Sequence, residues 1–425
     1  MSTATVDTQQ TQHPSPIAGR PLSAGRTGLK HSPKAVAVAA LLGYLFILAA
    51  FLYGSGDPRD LALIGRKYIE RSNISRTITI DPGYPYLEAV DGYDGQFAYF
   101  IALDPANARY YVDNDSYRYT RILYPMSARI VALGNPQWVA WAMILVNLAA
   151  ITLGTWAVAS WCKWRQLPPW LALIYAFYVG QVIAFTRDLN EPLAFALLAA
   201  AIYVFDRYPR FRWVAAVLFG LAGLARETTL VFPAIYALWL FLRRGLPAGE
   251  RLRTTGLLVV LAFGPFVVWQ VIIWRWLGTF GFTRGPGLMA VPFESLGWLY
   301  TFNRSTLDTI QAVLLPSLIA VGAAIVMVWR QRKLVTQPGI WMLLANAYFF
   351  VILLPPAAFW EIYSSARIAT PVVLTSIYVL AWSRQRTWFY LCAGMWLAYS
   401  ATYILNPAYN MLDRLLWGVL TVGDR

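Results

Sequence analysis

The sequence contains few of the residues from which many catalytic and metal sites are built. Its two histidines, His13 and His31, both lie within the first 34 residues, so histidine cannot supply acid–base or metal chemistry farther along the chain. Its two cysteines, Cys162 and Cys392, each lie inside an apolar segment, which argues against a disulfide framework or a thiolate metal site. Walker A, GxGxxG, GxSxG, HExxH and CxxC patterns are also absent. This excludes nucleotide-driven pumps and several hydrolase classes, as far as short motifs can.

Charged residues are scarce as well. They make up 13% of the 425 residues, whereas 58% are hydrophobic, and the mean hydropathy is +0.49. Such a composition is typical of a polytopic membrane protein rather than a soluble one. The net charge of +14 could suggest a nucleic-acid partner. However, the short basic loops fall on one predicted side of the membrane, so the charge reflects topology and we expect no nucleic acid to bind.

Apolar runs recur along the chain and define its organisation. Residues 1–34 are polar, lack a hydrophobic pattern and end in basic residues, so we predict a disordered cytoplasmic tail. Residues 35–425 are predicted to form a single all-α transmembrane domain, a helix bundle of about eleven spans that begins with an uncleaved one. The predicted spans are 35–53, 138–161, 168–186, 190–205, 213–225, 228–242, 255–277, 309–329, 338–354, 367–382 and 387–405.

The connection at 54–137 is far longer than the others and is predicted to lie on the outer face. It is too long for a turn and too short for an independent domain, so we expect helices resting on the membrane surface. It contains DGYDGQFAYF, in which Asp91 and Asp94 are three residues apart and would share one face of a helical turn. Alternatively, Asp94 caps a helix at 96–103 whose apolar side chains, Phe97 among them, face the lipid.

Two further charged turns lie on the predicted outer side. In TRDLNEP, Asp188 and Glu191 repeat the three-residue spacing, and the simplest alternative to a functional role is a salt bridge between Arg187 and Glu191. In GLARETTL, Arg226 and Glu227 have almost no loop to hold them, so they either pair with each other or bind an anion. Arg367 poses the same choice. A shared outward-facing cleft would suit an anionic lipid headgroup and an acceptor hydroxyl that needs a base.

This order of features resembles the GT-C superfamily of polytopic glycosyltransferases, which includes protein O-mannosyltransferases and lipid A aminoarabinose transferases. The features are a first span, a long outer loop with an acidic motif, a second acidic motif in the next outer loop, and a later outer G-L-x-R-E turn. YDGQF followed by ALDP is similar to a motif of uncharacterised bacterial members. The resemblance covers most of residues 35–405. It implies a GT-C-like bundle in the bacterial inner membrane, with the N-terminus cytoplasmic and the active face outward.

The resemblance also implies roles for individual residues. Asp94, or failing that Asp91, would be the catalytic base on the acceptor hydroxyl. If a divalent cation, Mg²⁺ or Mn²⁺, is used as a cofactor, Asp94 and Glu191 would be its ligands, but such a metal is optional. Arginines would hold the phosphate of the donor. The implied substrate-binding residues are Asp188, Glu191, Arg187, Arg226, Glu227 and Arg367.

The implied reaction is inverting transfer of a hexose or pentose from a polyprenyl phosphate to an acceptor glycan, lipid or protein, with membrane lipid as a further partner. Two alternatives stay open: a secondary transporter and a non-catalytic lipid-binding membrane protein. We find no internal repeat, and the acids gather at one face, which disfavours transport. Separation of Asp94 from Glu191 in space would favour the non-catalytic alternative. The polar residues inside spans that keep transport open are Gln181, Asn147, Gln270 and Asn346.

Overall fold

The computed structural model describes residues 32–53, 56–70, 91–243, 245, 247–285, 287–295, 304–360 and 362–421. All regular structure in these ranges is helical, which confirms the all-α prediction. The α-helices are α1 (Pro33–Leu52), α2 (Arg66–Glu70), α3 (Gly95–Leu103), α4 (Asp115–Tyr119), α5 (Leu123–Val131), α6 (Val139–Trp164), α7 (Ala172–Ala176), α8 (Val179–Thr186), α9 (Glu191–Arg207), α10 (Arg212–Ala225), α11 (Val231–Leu242), α12 (Ala248–Leu277), α13 (Arg304–Thr309), α14 (Leu315–Arg330), α15 (Pro338–Ala347), α16 (Pro356–Trp360), α17 (Ile362–Val379) and α18 (Thr387–Thr421).

The predicted count of eleven spans is not confirmed. Among the described residues, five helices are long and apolar enough to cross a membrane. The pair α7 and α8, bent by 53°, makes a sixth if it counts as one broken span. Helices α9, α10 and α11 have only 17, 14 and 12 residues, fewer than the roughly 20 that a ~30 Å hydrocarbon core requires. The five single spans are Pro33–Leu52, Pro136–Trp164, Ala248–Leu277, Thr306–Arg330 and Ile362–Trp382.

The spans differ sharply in burial. The span that contains α17 is 83% buried inside the protein, whereas the span formed by α12 is only 22% buried. An exposed apolar helix of this length is compatible with contact to lipid. Around the buried centre, α6, α9, α10 and α12 pack in sequence, and Gly154 of α6 permits a backbone approach to Ala196 of α9. Helix α17 therefore lies in the middle of the fold, with charged side chains gathered around its first turns.

The predicted tail lies mostly outside the described residues. Helix α1 begins at Pro33, two residues earlier than expected, because the side chain of Ser32 accepts a hydrogen bond from the backbone N–H of Lys34 at 3.3 Å. Within the long first connection, residues 71–90 also lie outside the described residues. The rest of that connection forms short helices, as predicted.

The prediction that the apolar side chains of α3 face lipid is wrong. Phe97, Phe100 and Ile101 are all buried, and they pack with residues of α5 and α6. Arg118 covers the ring of Phe97, with its guanidinium 4.1 Å from the ring centre. The helices of the first connection therefore form a packed layer whose core is shared with α6 and α12. That layer fixes the position of the residue just before α3, Asp94.

Candidate active site

Asp94 lies at the start of α3 but does not cap it. Its backbone is helical, and its side chain makes no capping hydrogen bond. Instead one carboxylate oxygen lies 3.0 Å from Arg118 and the other is ion-paired with Arg367. Burial alone would raise the pKa of Asp94, but Arg367 and Arg118 outweigh it and hold the pKa well below its usual range. The capping alternative is therefore wrong, and Asp94 is an ionised carboxylate between two guanidinium groups.

Asp91 lies in a different environment. Its side chain is 73% exposed and lies 2.8 Å from Lys67 Nζ. Gly92 has a φ of +65°, so the backbone leaves helical geometry between the two aspartates. The structure therefore does not bring Asp91 and Asp94 together on one helical face.

Glu191 is fully buried and pairs with Arg226 from the G-L-x-R-E turn. The same oxygen of Glu191 lies 3.5 Å from Arg367 Nη1, so Arg367 bridges Glu191 and Asp94. This position depends on close packing of α17 against α8, where a side chain at Gly180 would lie 2.3 Å from the carbonyl oxygen of Ala366. Three segments that are distant in the sequence thus meet at one guanidinium.

Arg226 and Glu227 do not pair with each other, as one alternative predicted. Arg226 reaches Glu191, and its Nε donates to the hydroxyl of Thr228 at 3.2 Å. Glu227 accepts two hydrogen bonds from Arg121, at 2.7 and 2.9 Å. Burial would raise the pKa of Glu227, but the paired Arg121 outweighs it and lowers the pKa to about 2. The neighbours in sequence therefore have different partners, and the two ion pairs connect three parts of the chain.

The remaining predicted residues of the second acidic turn lie apart from these pairs. Asp188 is fully buried with a φ of +48°, and its side chain accepts a long hydrogen bond from the hydroxyl of Tyr124 at 3.5 Å. Burial raises its pKa well above the ordinary value. Arg187 does not bridge to Glu191; its guanidinium lies 5.9 Å from the ring centre of Tyr363. The turn therefore sends only Glu191 into the arginine cluster.

Arg118 and Arg121 were not predicted as site residues. Arg118 pairs with Asp94 and also with Asp113, at 2.7 Å, while Arg121 holds Glu227. Their signal in the sequence is SYRYTR, in which two arginines stand three residues apart among tyrosines, the same spacing as in both acidic turns. Spacing of this kind places both side chains on one side of a short helix.

A cavity of about 470 Å³ opens beside the cluster, and we call it the Arg226 cavity. Arg121, Arg226 and Arg367 line its polar end. Among the described residues, the buried Nε of Arg367 and Oε2 of Glu191 have no hydrogen-bond partner, and Nη1 of Arg367 has only its 3.5 Å ion pair with Glu191. Buried polar atoms are normally bonded, so the incompletely bonded guanidinium of Arg367, which lies in the cavity wall, indicates a polar ligand. The apolar part of the wall includes Phe282, Leu288, Phe350, Leu354 and Ile368.

The two predicted metal ligands do not suit a divalent cation in this arrangement. Asp94 and Glu191 are each already paired with arginine, and the guanidinium groups would repel a second cation. Within the described part of the chain, no group of three or more His, Cys, Asp or Glu side chains could hold a metal ion. The donor set around Arg367 suits an anion better.

The polar residues inside the predicted spans are used for packing in three of four cases. Asn147 donates to the hydroxyl of Tyr124 at 2.7 Å and to the carbonyl of Leu189 at 3.1 Å. Gln270 accepts from the backbone N–H of Gly281 at 2.9 Å, and Asn346 donates to the carbonyl of Met342 at 2.7 Å. These contacts supply local structural roles and do not form a path through the bundle.

The fold and the site together describe an all-helical protein, with five or six apolar helices of membrane-spanning length and a buried cluster of arginines and carboxylates. This is compatible with an integral membrane protein. No protein-family model, curated protein or solved structure matches the chain.

Proposed function

We propose that the protein is a membrane glycosyltransferase that moves a sugar from a polyprenyl phosphate to an acceptor hydroxyl. A GT-C-like layout, an inner-membrane location and an outward-facing site belong to this proposal. The observation that carries it is the Arg226 cavity, where three arginines meet an apolar wall. A phosphate on an isoprenoid chain has this chemistry, because its charge suits the guanidinium groups and its chain suits the apolar residues.

Arg367 is the best-placed phosphate ligand. Two of its nitrogens lack hydrogen-bond partners among the described residues, and it lies next to Asp94 and Glu191. Arg226 and Arg121 line the same cavity and would add charge on either side. Charge that develops on the leaving phosphate would be stabilised by groups already in place, which is the largest electrostatic contribution in many enzymes.

In the proposed reaction, the acceptor oxygen forms a bond to the anomeric carbon while the bond from that carbon to the phosphate oxygen breaks. The bonding electrons leave on the phosphate, and the hydroxyl proton moves to the carboxylate of Asp94. The anomeric configuration inverts, because the nucleophile attacks opposite the leaving group. Base catalysis of this kind typically contributes about 10²–10⁴-fold. No step requires a metal ion.

The two arginines on Asp94 have a consequence for its role as a base. They keep it unprotonated, but by lowering its pKa they also make it a weak proton acceptor. A donor phosphate that binds Arg367 would compete with Asp94 for that guanidinium and raise the basicity of the carboxylate. Donor binding would thus prepare the base for the acceptor.

The test is release of polyprenyl phosphate from a panel of polyprenyl-phosphate sugars by the purified full chain in nanodiscs, with a broad acceptor mixture. We expect wild type to release polyprenyl phosphate, and we expect Asp94→Asn to release it about 10²–10⁴-fold more slowly. Asn keeps the shape of the side chain, and each displaced arginine retains a second carboxylate, since Arg118 keeps Asp113 and Arg367 keeps Glu191. Folding should therefore survive the change.

Asp91→Asn is the matched control. It removes an exposed pair with Lys67, which is worth ~0–1 kcal/mol, so the rate should stay near that of wild type. If the activity of folded Asp94→Asn remains high, the base is elsewhere and the mechanism fails. Absence of release from every donor by folded wild type would favour transport or lipid binding instead.

A further inference from the structure

A second and larger cavity lies beside the cluster. It measures about 920 Å³ and is lined by the end of α1, the loop after α8, the start of α17 and one face of α18. Volumes of this size are typical of ligand sites. Arg187 lines it, and we call it the Arg187 cavity. It shares no lining residue with the Arg226 cavity.

Arg187 is the only arginine of this cavity wall among the described residues, and it has no carboxylate within ion-pair distance there. Its guanidinium lies near the face of Tyr363, at 5.9 Å from the ring centre. In the Arg226 cavity, by contrast, every arginine already has a carboxylate partner. A guanidinium that lines a cavity without a counter-ion is a binding group for a phosphate or a carboxylate.

The rest of the wall suits a hydroxylated molecule. Asp308 accepts a hydrogen bond from Tyr399 at 3.0 Å, and Gln311, Thr402 and Asn406 add further donors and acceptors. Gln311 lies in a π-helical turn, Ile310–Leu314, a distortion of the α-helix that is frequent at functional sites. The polar groups thus come from two separate helical segments that face the same space.

This cavity also lies close to Asp94. A side chain at Gly95 would lie 2.0 Å from the carbonyl oxygen of Arg187, so the loop that carries Arg187 contacts the residue directly after Asp94. The ring of Tyr363 packs at 6.4 Å from that of Tyr93, the residue directly before it. The guanidinium of Arg367 lies over the same Tyr93 ring, 5.3 Å from its centre. Two residues of the cavity wall, Arg187 and Tyr363, therefore pack against the residues on either side of Asp94 in the chain.

We propose that the Arg187 cavity binds the acceptor, and that the acceptor is an anionic molecule with free hydroxyl groups, its phosphate or carboxylate held by Arg187. This rests on the proposed function, since it assigns the second substrate of the same site. The anion can come from a phospholipid headgroup or from an acidic glycan, and the chemistry at Arg187 is the same for both.

The test measures binding by the full chain in neutral phosphatidylcholine nanodiscs, in the absence of any transfer reaction. The probes are dihexanoyl phosphatidylglycerol and glucuronate for the Arg187 cavity, and farnesyl phosphate for the Arg226 cavity. Arg187→Gln should weaken the first two probes at least tenfold and leave farnesyl phosphate unchanged. Arg367→Gln should weaken binding of farnesyl phosphate at least tenfold and leave the other two probes unchanged. Arg210→Gln, at an exposed arginine whose short helix lines neither cavity, should change neither.

Each outcome is decisive. If Arg187→Gln weakens binding of phosphatidylglycerol alone, the acceptor is a lipid. If it weakens binding of glucuronate alone, the acceptor is an acidic glycan. Arg187→Lys should recover part of the lost binding, because it restores the charge but not the fork. If Arg187→Gln binds both anionic probes as wild type does, or if wild type binds neither, the inference is wrong. Because the readout is binding, that failure is distinct from failure of the sugar-release assay.

Discussion

The two acidic turns of the chain, 91–94 and 188–191, each carry two acidic residues three positions apart. The first acidic residues of the two turns differ in their burial and in their partners. Asp91 is exposed and pairs with a lysine, whereas Asp188 is fully buried and has no ion pair with any residue that the structure describes. The second members, Asp94 and Glu191, are alike: each has two arginine neighbours, and Arg367 is shared by both. Spacing of acids along the chain therefore does not predict which carboxylate joins the arginine cluster. That depends on which arginines other segments bring close.

The largest effect should come from breaking the buried pair of Glu191. Glu191→Gln removes the charge that neutralises the buried Arg226. Loss of one charge of a buried ion pair lowers the free energy of unfolding by about 3–5 kcal/mol. Asp188→Asn should cost about 1 kcal/mol or less, because burial already disfavours the charge of Asp188 and its hydrogen bonding is weak. Thermal unfolding of the detergent-solubilised variants measures both.

The double variant Glu191→Gln and Arg226→Gln serves as the control for this prediction. Removing both charges avoids an unpaired buried ion, so it should be more stable than Glu191→Gln alone. Equal stability of Glu191→Gln and Asp188→Asn would show that the two turns are not different in the way the contacts indicate.

A medium effect should come from the contact that joins the two turns. Gly95→Ala places a methyl group about 2.0 Å from the carbonyl oxygen of Arg187, so the two backbones must separate. Overpacking of this kind costs about 1–3 kcal/mol, and it would also move Asp94 away from its arginines. Unfolding temperature and sugar-release rate should both fall.

Gly256→Ala is the matched control for Gly95→Ala. Gly256 lies in α12, and an added Cβ there would meet no atom within 4 Å. Alanine is favoured over glycine in helices by about 1 kcal/mol. Its stability should therefore be unchanged or slightly higher. A Gly95→Ala protein as stable and active as wild type would mean that the turns do not need to touch.

The smallest effect concerns pH and the pair of Glu227 with Arg121. The pKa of Glu227 is lowered from 4.5 to about 2, so ionised Glu227 stabilises the folded protein at pH values above about 4.5. That contribution should fall as the pH drops from 4.5 towards 2. The difference in unfolding temperature between wild type and Glu227→Gln should be constant from pH 8 to 5 and shrink below 4.5. A difference that grows on acidification would contradict the pairing.

Sequence patterns alone determined the helical class, the membrane-like composition and the candidate residues near Asp94, Glu191, Arg226 and Arg367. These follow from local properties: apolar runs are read along the chain, and charged residues stand out against them. The number of spans did not follow, because apolar runs of 12 to 17 residues form helices too short to be read as spans by length.

Only the tertiary structure decided which charges meet. Arg118 and Arg121 lie in the first connection, Glu191 and Arg226 at two later turns, and Arg367 in α17. An ion pair forms between segments that packing brings together, and packing depends on contacts over hundreds of residues, such as Gly180 against α17. Charge and spacing along a chain carry no information about that approach. For this reason the sequence could name most of the residues in the ion-pair cluster but could not assign their partners.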